Sequence, residues 1–240
     1  MFPTWAVISG PSPINWCEPD FVNTSLSFRF AEFHNTITNL AYIVAACLLL
    51  VRWRKSSLSL STEGVLFGGY IVSLFLTGVF SWVFHSTLTW GAQKGDEIFE
   101  NSAVIILFHV ASFSKHTSVQ LIRNTFLHVI SVSFCIWIIP MLFCELHLIL
   151  VSIFTVYAFA QMELLREVKK RVAIAAMCAI IGFACWLLDF FFCSYFGEFL
   201  LHAYGWHILT AISLYQSGLI IYICLRDRHA NANPHKNHSQ

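Results

Sequence analysis

Long apolar stretches alternate with short polar ones along almost the whole chain. A membrane-crossing helix needs about 20 apolar residues. Seven runs meet that requirement, at about 35–53, 64–87, 98–114, 125–143, 146–163, 172–193 and 205–225. The fourth and fifth are separated only by the Cys144-Glu145 region. The connections are short, which suits a compact helical bundle. Residues 1–34 carry Pro3, Gly10, Pro11, Pro13 and Pro19 and no basic region before a short apolar core, so they read as a loop and not as a cleaved signal peptide. From Arg226 to Gln240 the chain is polar, with His229, His235 and His238 among Asn and Lys, and reads as a disordered tail. The expected division is a loop over 1–34, a seven-helix domain over 35–225 and a tail over 226–240.

Basic residues orient this bundle. Arg52, Arg54, Lys55, Lys115, Arg123, Arg166, Lys169, Lys170, Arg171, Arg226, Arg228 and Lys236 fall on one side, and only Arg29 and Lys94 on the other. Cytosolic loops hold the excess of Lys and Arg. The N-terminus is therefore expected to be lumenal or extracellular and the C-terminus cytosolic, which requires an odd number of spans. Composition agrees: apolar residues are 57% of the 240 and charged residues 11%, against roughly 25% charged in a soluble domain. Too few charges exist to coat a water-soluble globule. A net charge of +1 offers no field for nucleic acid. The expected fold class is all-α, a polytopic seven-transmembrane helical bundle.

Ionisable groups inside a membrane are costly and mark functional candidates. Under this topology His85, Asp96, Glu97, Asp189, His202 and His207 all fall at the lumenal ends of their spans. Histidine and carboxylate at one depth suggest a metal site, because catalytic zinc takes three protein ligands and keeps one open position. Ser81 lies four residues before His85 and so shares its helical face, where a hydroxyl could donate to a developing oxyanion. The competing reading is that each His bonds a neighbouring helix, as is frequent in membrane bundles. His109 and His128, without such company, read as interhelical bonds.

The strings "NWCEPD" (Asn15–Asp20), "AEFHNTITN" (Ala31–Asn39), "SWVFHSTL" (Ser81–Leu88), Asp96-Glu97, "WLLDFFFC" (Trp186–Cys193) and "WHILT" (Trp206–Thr210) resemble the alkaline ceramidase family, in the family's order. The resemblance implies a seven-span membrane enzyme that hydrolyses the amide of ceramide to a sphingoid base and a fatty acid. It implies Zn²⁺ held by His85, His202 and His207, with Ser81 steadying the oxyanion and Asp96 handling the proton of the attacking water. It also implies Ca²⁺ bound by Asn15, the Trp16 carbonyl, Glu18, Asp20 and Glu32, an oxygen-only set as calcium requires. Cys17 and Cys193 match family cysteines and both fall on the lumenal side, where disulfides persist, so one bridge is expected between them. Asp189 is expected to support the site without touching the metal. Ceramide and membrane lipids are the implied partners; the protein is expected to be multi-pass, in the endoplasmic reticulum or Golgi in preference to the plasma membrane. The oligomeric state is open. Asn23-Thr24-Ser25 is a lumenal glycosylation acceptor.

Two departures from the family pattern matter. The family's last pair of histidines resembles H-x-x-x-H, but "HAYGWH" sets His202 and His207 five apart. In a regular α-helix five residues rotate by roughly 500°, so the two side chains diverge by about 140°. Either a π-bulge absorbs the extra residue, or the helix starts near Gly205 and His202 reaches in from a loop. Lys94-Gly95 before Asp96 is the second departure: Gly95 is expected to loosen the start of the third span, and Lys94 to set a cation near the acid. Both motivate an alternative, a catalytically impaired lipid-binding or regulatory relative that keeps the fold. A seven-span receptor is a further alternative, though it gives no reason for His and Asp to gather at one level.

Overall fold

The computed structural model describes residues 10–14, 16–22, 30–56, 58, 61–112, 116–138, 142–162 and 165–232. Asn15 and the Asn23-Thr24-Ser25 acceptor lie outside them. The described chain is all helical, with one isolated antiparallel bridge between Pro11 and Thr89. The elements are α1 (Phe33–Thr38), α2 (Leu40–Arg54), α3 (Thr62–Thr87), α4 (Trp90–Ser112), α5 (Ser118–Ile138), α6 (Leu142–Ala160), α7 (Arg166–Phe191) and the short α8 (Cys193–Phe196). A 3₁₀ turn (Gly197–Phe199), a π-helical segment (Leu201–His207) and α9 (Ile208–Ala232) complete the chain.

Local chemistry explains several boundaries. The Ser61 hydroxyl accepts from the Gly64 N–H at 3.0 Å and starts α3. Leu88, at φ 50°, ends it in the left-handed conformation. Between α1 and α2 the Thr38 hydroxyl donates to the His34 carbonyl at 2.8 Å, and the Asn39 amide donates to the Asn35 carbonyl at 2.8 Å. These side chains compete with the backbone ladder and break the helix at Asn39. The third apolar run begins two turns earlier than its pattern suggests, at Trp90. Lys94 and Gln93 both reach Glu97 along the helix, at 2.7 and 2.5 Å, so the charges that end the apolar run are paired inside the helix. The expected tail boundary at Arg226 also moves. The last helix continues to Ala232, held by His229 against Glu63 of α3 at 3.2 Å. Residues 233–240 lie outside the described chain.

Among the described residues five helical stretches are long and apolar enough to cross a membrane: Phe33–Arg54, Thr62–Thr87, Ser118–Ile138, Arg166–Phe191 and Leu201–Ala232. Helix α4 carries Lys94, Asp96, Glu97 and Glu100, and α6 contributes a shorter apolar helix, Cys144–Ala160. The core lies where α2, α3 and α9 meet, around Leu49, Phe67, Tyr70, Leu74 and Ile221, all fully buried. Helix α4 packs on α3, and α7 packs on α9. Outward faces carry large apolar residues such as Val119, Phe134, Ile153 and Ile180, a surface suited to hydrocarbon and costly in water. His109 and His128 bond each other at 3.0 Å, and His128 also meets His147 at 3.3 Å.

The N-terminal segment is tied to one end of this bundle. Ser12 N–H donates to the Leu88 carbonyl at 2.8 Å, Glu32 N–H donates to the His85 carbonyl at 2.9 Å, and a disulfide joins Cys17 to Cys193. The end of α3, the start of α4, Cys193 after α7 and the described residues of the N-terminal segment therefore meet at one end of the bundle.

Candidate functional site

Sequence spacing alone separates His202 from His207, and local structure brings them back together. A π-helix closes each turn with i→i+5 bonds, so two residues five apart share one face. The chain adopts that geometry over Leu201–His207, the first of the two arrangements the spacing allowed. Leu200, at φ 50°, introduces the segment. Gly205 lies against α7: a Cβ there would meet the Cys185 Cβ at 2.5 Å and its Sγ at 2.6 Å. The ring centroids of His202 and His207 are 4.6 Å apart, and His85 from α3 is 5.1 and 5.0 Å from them. One ligand atom from each histidine lies within 4.8 Å of the others, and all three side chains are buried.

Each ring is held from behind. His85 Nδ1 meets Glu32 Oε2 at 2.5 Å, and His207 Nδ1 meets the Thr38 hydroxyl at 2.8 Å. Such partners set the tautomer and aim the opposite nitrogen. His202 stacks on the Trp16 indole, centroid to centroid 3.6 Å, and its Nδ1 is buried without a hydrogen-bond partner. A buried imidazole nitrogen without a partner is costly, and a cation bound through it would remove that cost. The donor set fits a divalent metal of the zinc type. Asp189, 1% exposed, accepts from the backbone N–H of Cys17 at 3.0 Å and of His202 at 3.2 Å. It therefore fastens the disulfide-linked loop to the start of the π-helical segment.

Ser81 is buried on α3 and hydrogen-bonds the Asp96 carboxyl. The pair thus stands between the His85 helix and α4. Asp96 and Glu100 both act electrostatically on Tyr42, whose ring is 6.2 Å from that of His207. The Lys94 cation is not beside Asp96; it pairs with Glu97 at 2.7 Å. Gly95 does not loosen the helix either. It lies inside α4, and a Cβ there would collide with the Phe80 ring, so it allows α3 and α4 to approach.

The oxygen-rich loop adjoins the histidines. Glu18 accepts from the backbone N–H of His34 at 2.6 Å and of Asn35 at 2.8 Å. Glu32 is fully buried and its Oε1 has no hydrogen-bond partner. Burial pushes the Glu32 carboxyl up to about 7, despite bonds from the Asn35 side chain and the Trp16 backbone N–H. Burial and the Glu32 charge raise Glu18 and Asp20 too. Three carboxyls held above their ordinary range, with an unsatisfied oxygen among them, suit a cation. Among the described residues they do not close into a cluster as tight as the histidines.

Several residues of this site carried no sequence signal that assigned them. Thr38 lies in "AEFHNTITN", yet nothing in its spacing points at His207. Trp16 was read for its carbonyl, whereas its ring covers His202. Glu100 follows Asp96 by four residues, and that same-face spacing is the signal that could have found it.

Comparison with known proteins identifies the family. A family profile described as Ceramidase matches residues 9–239. Alkaline ceramidase YPC1 of Saccharomyces cerevisiae is 28% identical over 245 residues, covering 85% of this chain and 73% of the relative. Drosophila melanogaster alkaline ceramidase is 26% identical, covering 86% and 75%. Human alkaline ceramidase 1 is 23% identical, covering 84% and 78%. With the profile running from the N-terminal loop through the last helix, the chain belongs to the ceramidase family.

Proposed function

We propose that this protein is a zinc-dependent amidase that works within the membrane, hydrolysing the amide of ceramide to a sphingoid base and a free fatty acid. The observation that carries the reading is the convergence of three buried imidazoles, from α3 and the π-helical segment, with the Ser81–Asp96 pair one helical turn from His85 along α3. The bundle is read as seven spans with the N-terminal side lumenal or extracellular, in the endoplasmic reticulum or Golgi. Five-residue histidine spacing and the Lys94-Gly95 pair are the two motives for a non-catalytic relative; the π-helical geometry of Leu201–His207 supports the catalytic reading instead.

His85, His202 and His207 would hold the zinc, which supplies Lewis acidity and a hydroxide nucleophile near neutral pH. Glu32 and Thr38 keep the first and last of these rings in one tautomer. The Ser81 hydroxyl donates to the amide oxygen as it gains charge. Asp96 accepts the proton of the attacking water and returns it to the leaving nitrogen, so the amide breaks into a neutral amine and an acid. Purified full-length protein in detergent is expected to release fatty acid from ceramide. Asp96→Asn is expected to slow that release by about 10²–10⁴-fold, the usual share of general acid–base catalysis. Equal rates for the two proteins reject the assignment.

The Trp16 carbonyl, Glu18, Asp20 and Glu32, with Asn15, are proposed to hold calcium and brace the loop behind His85. Without the ion, folded carboxyls with raised pKa values favour the folded state at low pH, and that contribution is lost as pH rises through about 7 for Glu32. Calcium replaces the protons. Its stabilisation, measured as the rise in thermal midpoint on adding Ca²⁺, is therefore expected to be larger at pH 8 than at pH 5. A rise that is the same at both values, or absent, rejects the calcium site.

A further inference from the structure

Helices α4, α6, α7 and α9, with Trp206 of the π-helical segment, line a half-open cavity of about 250 Å³ that the chemistry above does not use. It starts at Trp206, next to His207, and follows α9 to Ser217, about 16 Å along the helix axis. Its walls are mostly apolar. Thr155, Thr210, Ser213 and Ser217 reach it, but their hydroxyls donate to backbone carbonyls at 2.5–2.9 Å. Glu100 is different. It lines the cavity, and among the described residues its carboxyl makes no hydrogen bond; its electrostatic neighbours include Asp96, Glu97 and Tyr42. A carboxyl in an apolar membrane cavity is costly unless a partner arrives.

Glu100 is one turn past Asp96 on the same face of α4, about 6 Å further from the loop end of the bundle. Ceramide carries two hydroxyls near its amide. The one on C1 ends the polar branch that leads back to water. The one on C3 stands where the base's hydrocarbon chain begins. With the amide beside Asp96 and that chain running down the cavity, the C3 hydroxyl comes level with Glu100. Resting on the amidase reading above, we infer that Glu100 is a specificity-determining residue that hydrogen-bonds the C3 hydroxyl of the long-chain base.

A non-hydrolysable probe separates recognition from turnover: an N-alkylsulfonyl long-chain base, with and without the C3 hydroxyl. Binding to the full-length protein in nanodiscs is read from tryptophan fluorescence, since Trp206 lines the cavity. Wild-type protein is expected to bind the hydroxylated probe about tenfold more tightly, the worth of one hydrogen bond. Glu100→Leu is expected to bind both probes alike, and Glu100→Gln to keep a preference, because its amide still donates and accepts. Equal binding of the two probes by the wild type overturns the inference with no variant required. A preference that survives in Glu100→Leu overturns it as well. Ceramide hydrolysis is assayed in parallel. A wild-type preference lost in Glu100→Leu, without hydrolysis, leaves the recognition role standing and removes the amidase reading; hydrolysis without preference does the reverse.

Discussion

His207→Ala protein is expected to release no measurable fatty acid from ceramide and to carry zinc far below one equivalent per chain. Removing one of three imidazoles leaves His85 and His202, each fixed in place for a centre that has lost a donor. The rings sit in a buried pocket, so the variant cannot recruit a bulk ligand without opening the site. Thr38→Val is the graded companion. It leaves all three rings and takes away the hydroxyl that holds His207 Nδ1 at 2.8 Å. Loss of such an outer partner typically costs 10–100-fold in metal affinity or activity. The two variants are therefore expected to order as wild type, Thr38→Val, His207→Ala, in both zinc content and turnover. Wild-type turnover in His207→Ala would place the chemistry elsewhere. Wild-type metal content in the same variant would detach the metal from these histidines.

Gly205→Ala is expected to be nearly as damaging, although residue 205 holds no reacting group. Its added methyl would lie 2.5 Å from the Cys185 Cβ, far inside van der Waals contact, so the π-helical segment must move off α7. Overpacking of this kind typically costs 1–3 kcal/mol. More important, the segment between His202 and His207 is what turns five residues into one helical turn. If it shifts, the two rings no longer share a face. The expected outcome is a lower thermal midpoint together with a fall in zinc content and hydrolysis. Cys185→Gly in the same chain removes the atom that the methyl strikes, and is expected to restore turnover in part; a glycine inside α7 still costs roughly 1 kcal/mol. A Gly205→Ala protein with full turnover would mean that the π geometry is not needed to assemble the site.

The Asp96 side of the site differs in how it is built. Its acid sits on α4, a helix with too many charges to read as a span along its whole length. Those charges are paired within the helix, Lys94 and Gln93 to Glu97. That pairing lets Asp96 sit one residue away without the cation that the linear sequence placed beside it. Adjacent residues on a helix point about 100° apart, so sequence neighbours need not be neighbours in space.

Residues alone determined the all-helical class, the apolar runs, the candidate cluster of His85, Asp96, His202 and His207, and a choice of two geometries for the "HAYGWH" segment. Those follow from local composition and periodicity, which act within one element. Only tertiary structure decided that the extra residue is absorbed as a π turn, in a segment whose Gly205 lies against Cys185 of α7. Tertiary structure also decided that Thr38 and Glu32 back the rings, that Trp16 covers His202 with its indole, and that Glu100 faces an apolar cavity. Each is a contact between segments far apart in sequence. No propensity or spacing encodes such a contact until the helices have packed.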